Sequence, residues 1–219
     1  MTGLRTVIQK ETKCFLASDK STFLIYAVIS LIWSFALFSG GGEAGGIWLI
    51  FFSVIVAANF SSTVFISERV NGNLEVLITS GLSRDAALFG KMIFVVAMTS
   101  AIGLVCAVLA ALWAAVLPGA DMLPSAGDCA GGALLYLSAT FLNAAASAYF
   151  SVRLGNPRFL HFINLFIIGA FVGVYSAASV FFTAHPLILV SVFLVAGMVF
   201  TLLARREFAG ERIIRPIIF

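Results

Sequence analysis

Apolar residues run along this chain in long unbroken blocks, separated by short connectors and by one long polar insert. A stretch such as "FLIYAVISLIWSFALF" is apolar on every side. A membrane strand facing lipid on one side would instead alternate with period two. Blocks of roughly 18 or more residues are long enough to cross a bilayer as helices. The pattern predicts six spans, at about 21–39, 47–67, 86–117, 132–152, 159–182 and 186–204. The third is long for one crossing and calls for a tilt or an interfacial start. The expected fold is all-α: a polytopic membrane domain of six transmembrane helices, with an N-terminal amphipathic interfacial helix and a short cytoplasmic helix. One domain, 1–219, then divides into an interfacial helix at 1–20, spans at 21–67, a polar region at 68–85, further spans at 86–204 and a tail at 205–219.

Composition agrees with a lipid solvent. The chain has 219 residues, 61% hydrophobic and only 11% charged, whereas a soluble domain carries about a quarter charged residues. The charges also orient the spans. All 13 Lys and Arg fall in the N-terminal segment, the polar insert, the loop after the fourth span and the C-terminal tail. The opposite connectors hold only Glu43, Asp121 and Asp128. Basic residues mark cytoplasmic loops, so both termini and the insert are expected in the cytoplasm, in a multi-pass plasma (bacterial inner) membrane protein. No cleavable signal peptide is apparent, and the first span is expected to direct insertion and stay. In the N-terminal segment Leu4, Ile8, Cys14 and Phe15 lie near one helical stripe, with Arg5, Lys10 and Lys13 elsewhere. That reads as an amphipathic helix in the cytoplasmic interface; a loosely ordered tail is the plainer alternative.

The insert, "SERVNGNLEVLITSGLSRDAALFGK", carries its own punctuation. Asn71-Gly72 signals a turn, Asn73 can cap a helix, and Glu75 lies where the helix dipole favours an anion. Leu74, Leu77 and Ile78 share one face. Gly81 can end that helix in a left-handed conformation, and Ser83 can cap the next one, with Asp85 near its start. A helix of two turns is not stable alone in water. Its apolar face must be covered by the lipid interface, by neighbouring spans or by another protein.

This segment resembles the stretch between the second and third spans of ABC-2-type transporter permeases, the integral membrane subunits of ABC exporters. That family shows a pattern like E-R-x-x-G-[ST]-L-E-x-L-x-[ST]-x-P-[LV]-[ST]-R-x-x-[IL]-x-x-[GA]-K. Glu68, Arg69, Gly72, Leu74, Glu75, Leu77, Ser83, Arg84, Gly90 and Lys91 match it. Asn73 replaces the usual Ser or Thr, and Gly81-Leu82 stand near the family's Pro. The resemblance implies that the insert is a coupling helix, seated in a cleft of a cytoplasmic ATPase subunit, with Ile78 on the same apolar face. It also implies two ATPase copies, a second permease copy, identical or homologous, and a substrate path between the permeases. ATP and Mg would sit on the partner ATPase, with no cofactor in this chain. The haem-exporter-like membrane subunit of cytochrome c maturation has a related coupling segment. A scaffold that only recruits a cytoplasmic partner is the reading from another class.

Other chemistry has little support. No G-x-x-x-x-G-K-[ST] occurs, and "GGGEAGG" lacks the Lys-Ser/Thr that reaches phosphate and metal. There is no H-E-x-x-H, and His161 and His185 stand alone. No G-x-S-x-G elbow is present. The chain is therefore expected not to be an enzyme, to hold no metal and to bind no nucleic acid. Apart from Lys91, the spans lack ionisable groups, which argues against an ion-coupled carrier. Asn59, Asn143 and Asn164 suit hydrogen bonding between helices better than substrate contact. Gly169-x-x-x-Gly173 is a close-approach motif for dimer or helix packing, and Gly103, Ala107, Ala111 and Ala115 make a similar ridge. Cys14, Cys106 and Cys129 have no metal or disulfide spacing and are expected as thiols.

Overall fold

The structure, a computed structural model, describes residues 2–17, 20–39, 43–66, 81–117, 126–153 and 186–209, with scattered residues between 162 and 177. Among them are six α-helices: α1 Thr2–Leu16, α2 Lys20–Ser39, α3 Glu43–Ser61, α4 Arg84–Val116, α5 Ala126–Arg153 and α6 Pro186–Ala209. A π-helical turn, Ser62–Ile66, continues α3. All but α1 are long and apolar enough to cross a membrane, which makes five candidate spans. Most of the expected 159–182 span lies outside the described residues, although those described there are helical.

Helices follow from the solvent. In hydrocarbon every backbone N–H and C=O must be satisfied within the segment, and a helix does so. α4 has 33 residues, or about 50 Å at 1.5 Å per residue, against about 30 Å of hydrocarbon. Its first turns, with Arg84, Asp85 and Lys91, therefore extend beyond the apolar part.

The packing order gives the direction of each helix. Trp33 meets Trp48, and Tyr26 stacks on Phe60 at 5.0 Å, so α2 and α3 are antiparallel. Cys106 Sγ donates to the Ser30 carbonyl at 3.7 Å and Trp113 Nε1 to Ser34 Oγ at 3.1 Å, so α2 and α4 run parallel. Leu49 lies under Gly132, and Asn143 Nδ2 donates to the Val54 carbonyl at 2.9 Å, so α3 and α5 are parallel too. α6 follows α5 from Phe141 beside Gly197 to Arg153 beside Glu207, again parallel. Lys20, Arg84, Arg153, Arg205 and Arg206 consequently gather at one end of the bundle, called here the basic end.

The core sits among α3, α4 and α5, where Phe52, Val56, Phe60, Leu88, Val95 and Ala148 are buried. Polar groups join the spans. Tyr136 OH donates to the Thr99 carbonyl at 2.8 Å, and its ring lies where a Cβ at Gly103 would stand, 2.6 Å away. Only this member of the expected small-residue ridge packs inward; Ala107, Ala111 and Ala115 are exposed. Asn143 does act as a link between helices, and Ser147 Oγ donates to its Oδ1 at 3.1 Å. Asn59 is exposed and donates to its own helix, to the Ile55 carbonyl at 3.4 Å. Asn164, His161 and His185 lie outside the described residues. No disulfide joins the three cysteines.

α1 is helical, but its buried face differs from the expected stripe. Val7 and Glu11 are buried, Leu4, Ile8 and Phe15 are half-buried, and Cys14 is exposed. α1 is packed against α4, so the face turned to protein includes Val7 and Glu11 and leaves Cys14 exposed.

Cys14 lies in the last turn of α1 at the basic end, and Cys129 lies in the first turns of α5 at the far end. A membrane-impermeant maleimide added to intact cells is expected to label Cys129 and spare Cys14, if basic residues mark the cytoplasmic side. Labelling of Cys14 from outside would reverse the orientation.

Candidate functional site

The polar insert joins two helix ends that lie together at the basic end: the π turn closing α3 and the first turn of α4. Of the candidate residues, Glu68, Arg69, Gly72, Leu74, Glu75, Leu77 and Ile78 lie outside the described residues. Gly81, Ser83, Arg84 and Lys91 are described, and they show how the insert is anchored on its C-terminal side.

Gly81 has φ +81°, a left-handed conformation that costs glycine little. Ser83 then takes extended backbone at φ −64° and ψ 139°, and its Oγ accepts from Ala86 N at 3.2 Å. One of the free N–H groups of the first turn is thereby satisfied. Arg84 is half-buried in that turn. Asp85 faces the positive end of the helix dipole and also accepts two bonds from Arg205 of α6, from Nε at 3.1 Å and from Nη2 at 2.7 Å. A second clasp joins α5 to α6, where Arg153 lies 3.9 Å from Glu207 and donates to Tyr149 OH.

Lys91 is the most enclosed charge of the site, with 0% of its side chain exposed. Its Nζ donates to the Val64 carbonyl at 2.7 Å and to Glu11 Oε1 at 3.3 Å. It also lies 5.7 Å from the centre of the Phe65 ring, within reach of a cation–π attraction. Val64 belongs to the π turn, where the wider i→i+5 bonding departs from the regular α-helical ladder. Glu11 is 6% exposed and also lies 3.5 Å from Lys10. One ammonium thus ties α1, the end of α3 and the start of α4.

Sequence reasoning singled out Lys91 but missed Glu11 and Val64. Glu11 is the only acidic residue of α1, and it lies on the same face as Val7. That placement was the available signal. Gly169 and Gly173 lie far from this site along the chain and are exposed. Among the described residues, a Cβ at either would meet nothing within 4 Å.

No family model matches the chain, and no curated protein matches it. The arrangement is two helix ends flanking an insert, held by a cap, an exposed ion pair and a buried ion pair.

These holds differ in strength. Ser83→Ala removes a cap and is expected to cost about 1 kcal/mol, or roughly 2–4 °C of thermal midpoint for a chain of this size. Arg205→Ala is expected to cost less, since exposed ion pairs contribute about 0–1 kcal/mol and these side chains are 56% and 49% exposed. Thermal unfolding of the purified variants in detergent checks the ranking; a larger loss for Arg205→Ala would overturn it.

Proposed function

We propose that this chain is the membrane-spanning permease subunit of an ATP-driven ABC transporter of the ABC-2 type. Its insert is a coupling helix that docks on a separate cytoplasmic ATPase subunit. The observation that carries the reading is the insert itself: its match to the family pattern falls between two helix ends held at the basic end of a membrane bundle. Ser83 of that pattern caps the next helix, and Gly81, which stands near the family's Pro, keeps a turn there with its left-handed backbone. Gly90 and Lys91, which close the pattern, make the contact with α1.

A sixth span is part of the proposal. α5 and α6 are parallel neighbours that both end at the basic side. The chain between Arg153 and Pro186 has to return along the bundle, and residues 159–182 are apolar enough to do so through lipid. With the basic end cytoplasmic, both termini lie in the cytoplasm of the plasma (inner) membrane. Two permease copies and two ATPase copies form the machine, and substrate passes between the permeases. Gly169 and Gly173, exposed and uncrowded among the described residues, suit the contact between copies.

Two experiments test this. Burying one leucine is worth about 2 kcal/mol, so Leu74 and Leu77 supply much of the docking. Leu74→Asp with Leu77→Asp is expected to leave insertion intact, because no span changes, and to abolish both ATPase co-purification and ATP-dependent export. Retained binding with continued export would refute the coupling role. Gly169→Leu with Gly173→Leu separates backbones that must touch, so the cross-linked dimer yield is expected to drop severalfold. An unchanged yield would remove these residues from the dimer contact.

A further inference from the structure

The helix ends that flank the insert have a further anchor, which lies in α1 and is remote from them in sequence. Three rungs join α1 to the start of α4, in parallel register. A Cβ at Gly3 would stand 2.9 Å from Leu82, and one at Gly90 would stand 2.8 Å from Val7. The third rung is the Glu11–Lys91 pair at 3.3 Å. Both glycines are crowded by side chains, Gly3 by the tip of Leu82 and Gly90 by Val7, so α1 lies close against the start of α4.

The third rung is of a different kind. Val7 is 1% exposed, and an apolar pair beside it would hold the helix without charges. Buried ion pairs are often no more stabilising than well-packed apolar replacements, yet breaking one by removing a single partner is strongly destabilising. What the pair adds is direction. The ammonium must point at both Glu11 and the Val64 carbonyl, and this fixes the rotation of α1 against the π turn. Phe15 adds a contact to the same corner, with its ring 5.5 Å from Phe60 of α3.

We infer that Glu11 is a positioning residue of the coupling site: with Lys91 it clamps α1 onto both helix ends that flank the insert, so that the three move as one body. The inference rests on the coupling reading only for its last step. The clamp itself is a property of this chain, and movement of the insert then carries α1 with it. α1 is thereby part of the transmission, with its outer face of Arg5, Gln9 and Lys13 turned away from the bundle.

The test uses the full-length protein in detergent, with Cys14→Ser and Cys129→Ser removing the exposed thiols. Val7→Cys then introduces a reporter on the clamped face, and buried Cys106 reports the integrity of the bundle. The reporter is expected to resist a maleimide. Glu11→Gln is expected to accelerate its labelling at least about tenfold while Cys106 stays protected. Glu11→Asp, which keeps a carboxylate for Lys91 and leaves the Val64 contact in place, is expected to retain at least half of the protection, a rescue that depends on the charge. Should Glu11→Gln expose Cys106 as well, the labelling is repeated at a lower temperature at which Cys106 stays protected, with faster reporter labelling expected. Unchanged labelling in Glu11→Gln, or protection lost equally in Glu11→Asp, overturns the clamp. ATP-dependent export, measured in the same Glu11 variants without the reporter changes, separates the two claims. Export lost in Glu11→Gln and kept in Glu11→Asp supports transmission through α1. Export retained in Glu11→Gln with the reporter labelled refutes it. No ATP-dependent export in the unsubstituted protein refutes the coupling reading and leaves the clamp standing.

Discussion

A lysine ammonium with no exposed surface has to find its partners inside the protein, and three segments of this chain meet to provide them. Lys91 draws the Val64 carbonyl from the π turn, Glu11 from α1 and the Phe65 ring into one corner. Desolvating a charge costs several kcal/mol, recovered only with good geometry and further hydrogen bonds. The helix ends around the insert are therefore constrained more tightly than apolar packing alone would constrain them. A bundle held in lipid by van der Waals contact and scattered hydrogen bonds acquires one directional joint at its basic end.

The rest of the bundle shows why such a joint matters. α2 lies on α4, α3 on α5 and α5 on α6, each in parallel, although none of the first two pairs is adjacent in sequence. Parallel partners bring like ends together, so the basic ends of α2, α4, α5 and α6 crowd one side. Asp85 and Glu207 offset part of that charge through Arg205 and Arg153. A displacement applied at the start of α4 meets α6 through the first of these pairs and α1 through Glu11.

Much of the helical framework was legible in the sequence, because length and continuous apolarity set it. The helix pairing was not. In lipid the protein-facing and lipid-facing sides of a span are both apolar, so periodicity cannot tell which side of α2 or α4 packs inward. Asn143 and Asn59 look alike as residues, yet one bridges two helices and the other bonds its own. At the site, Gly81 and Ser83 were readable because turns and caps are local, and both have the expected backbone. The pairing of Glu11 with Lys91 was not readable from spacing, since the two stand 80 residues apart. Burial of Val7 and Glu11 was not readable for the same reason: only the presence of α4 decides which face of α1 is turned to protein.

The coupling claim is most directly tested at the insert in intact membranes. A photo-reactive amino acid placed at Leu77 by Leu77→p-benzoyl-phenylalanine substitution, irradiated and analysed by mass spectrometry, identifies what covers that face. The account predicts an adduct with a nucleotide-binding protein that carries a G-x-x-x-x-G-K-[ST] loop, with a yield that changes when ATP is added. Adducts to lipid or to this chain's own spans, with no ATP-binding protein, would contradict it.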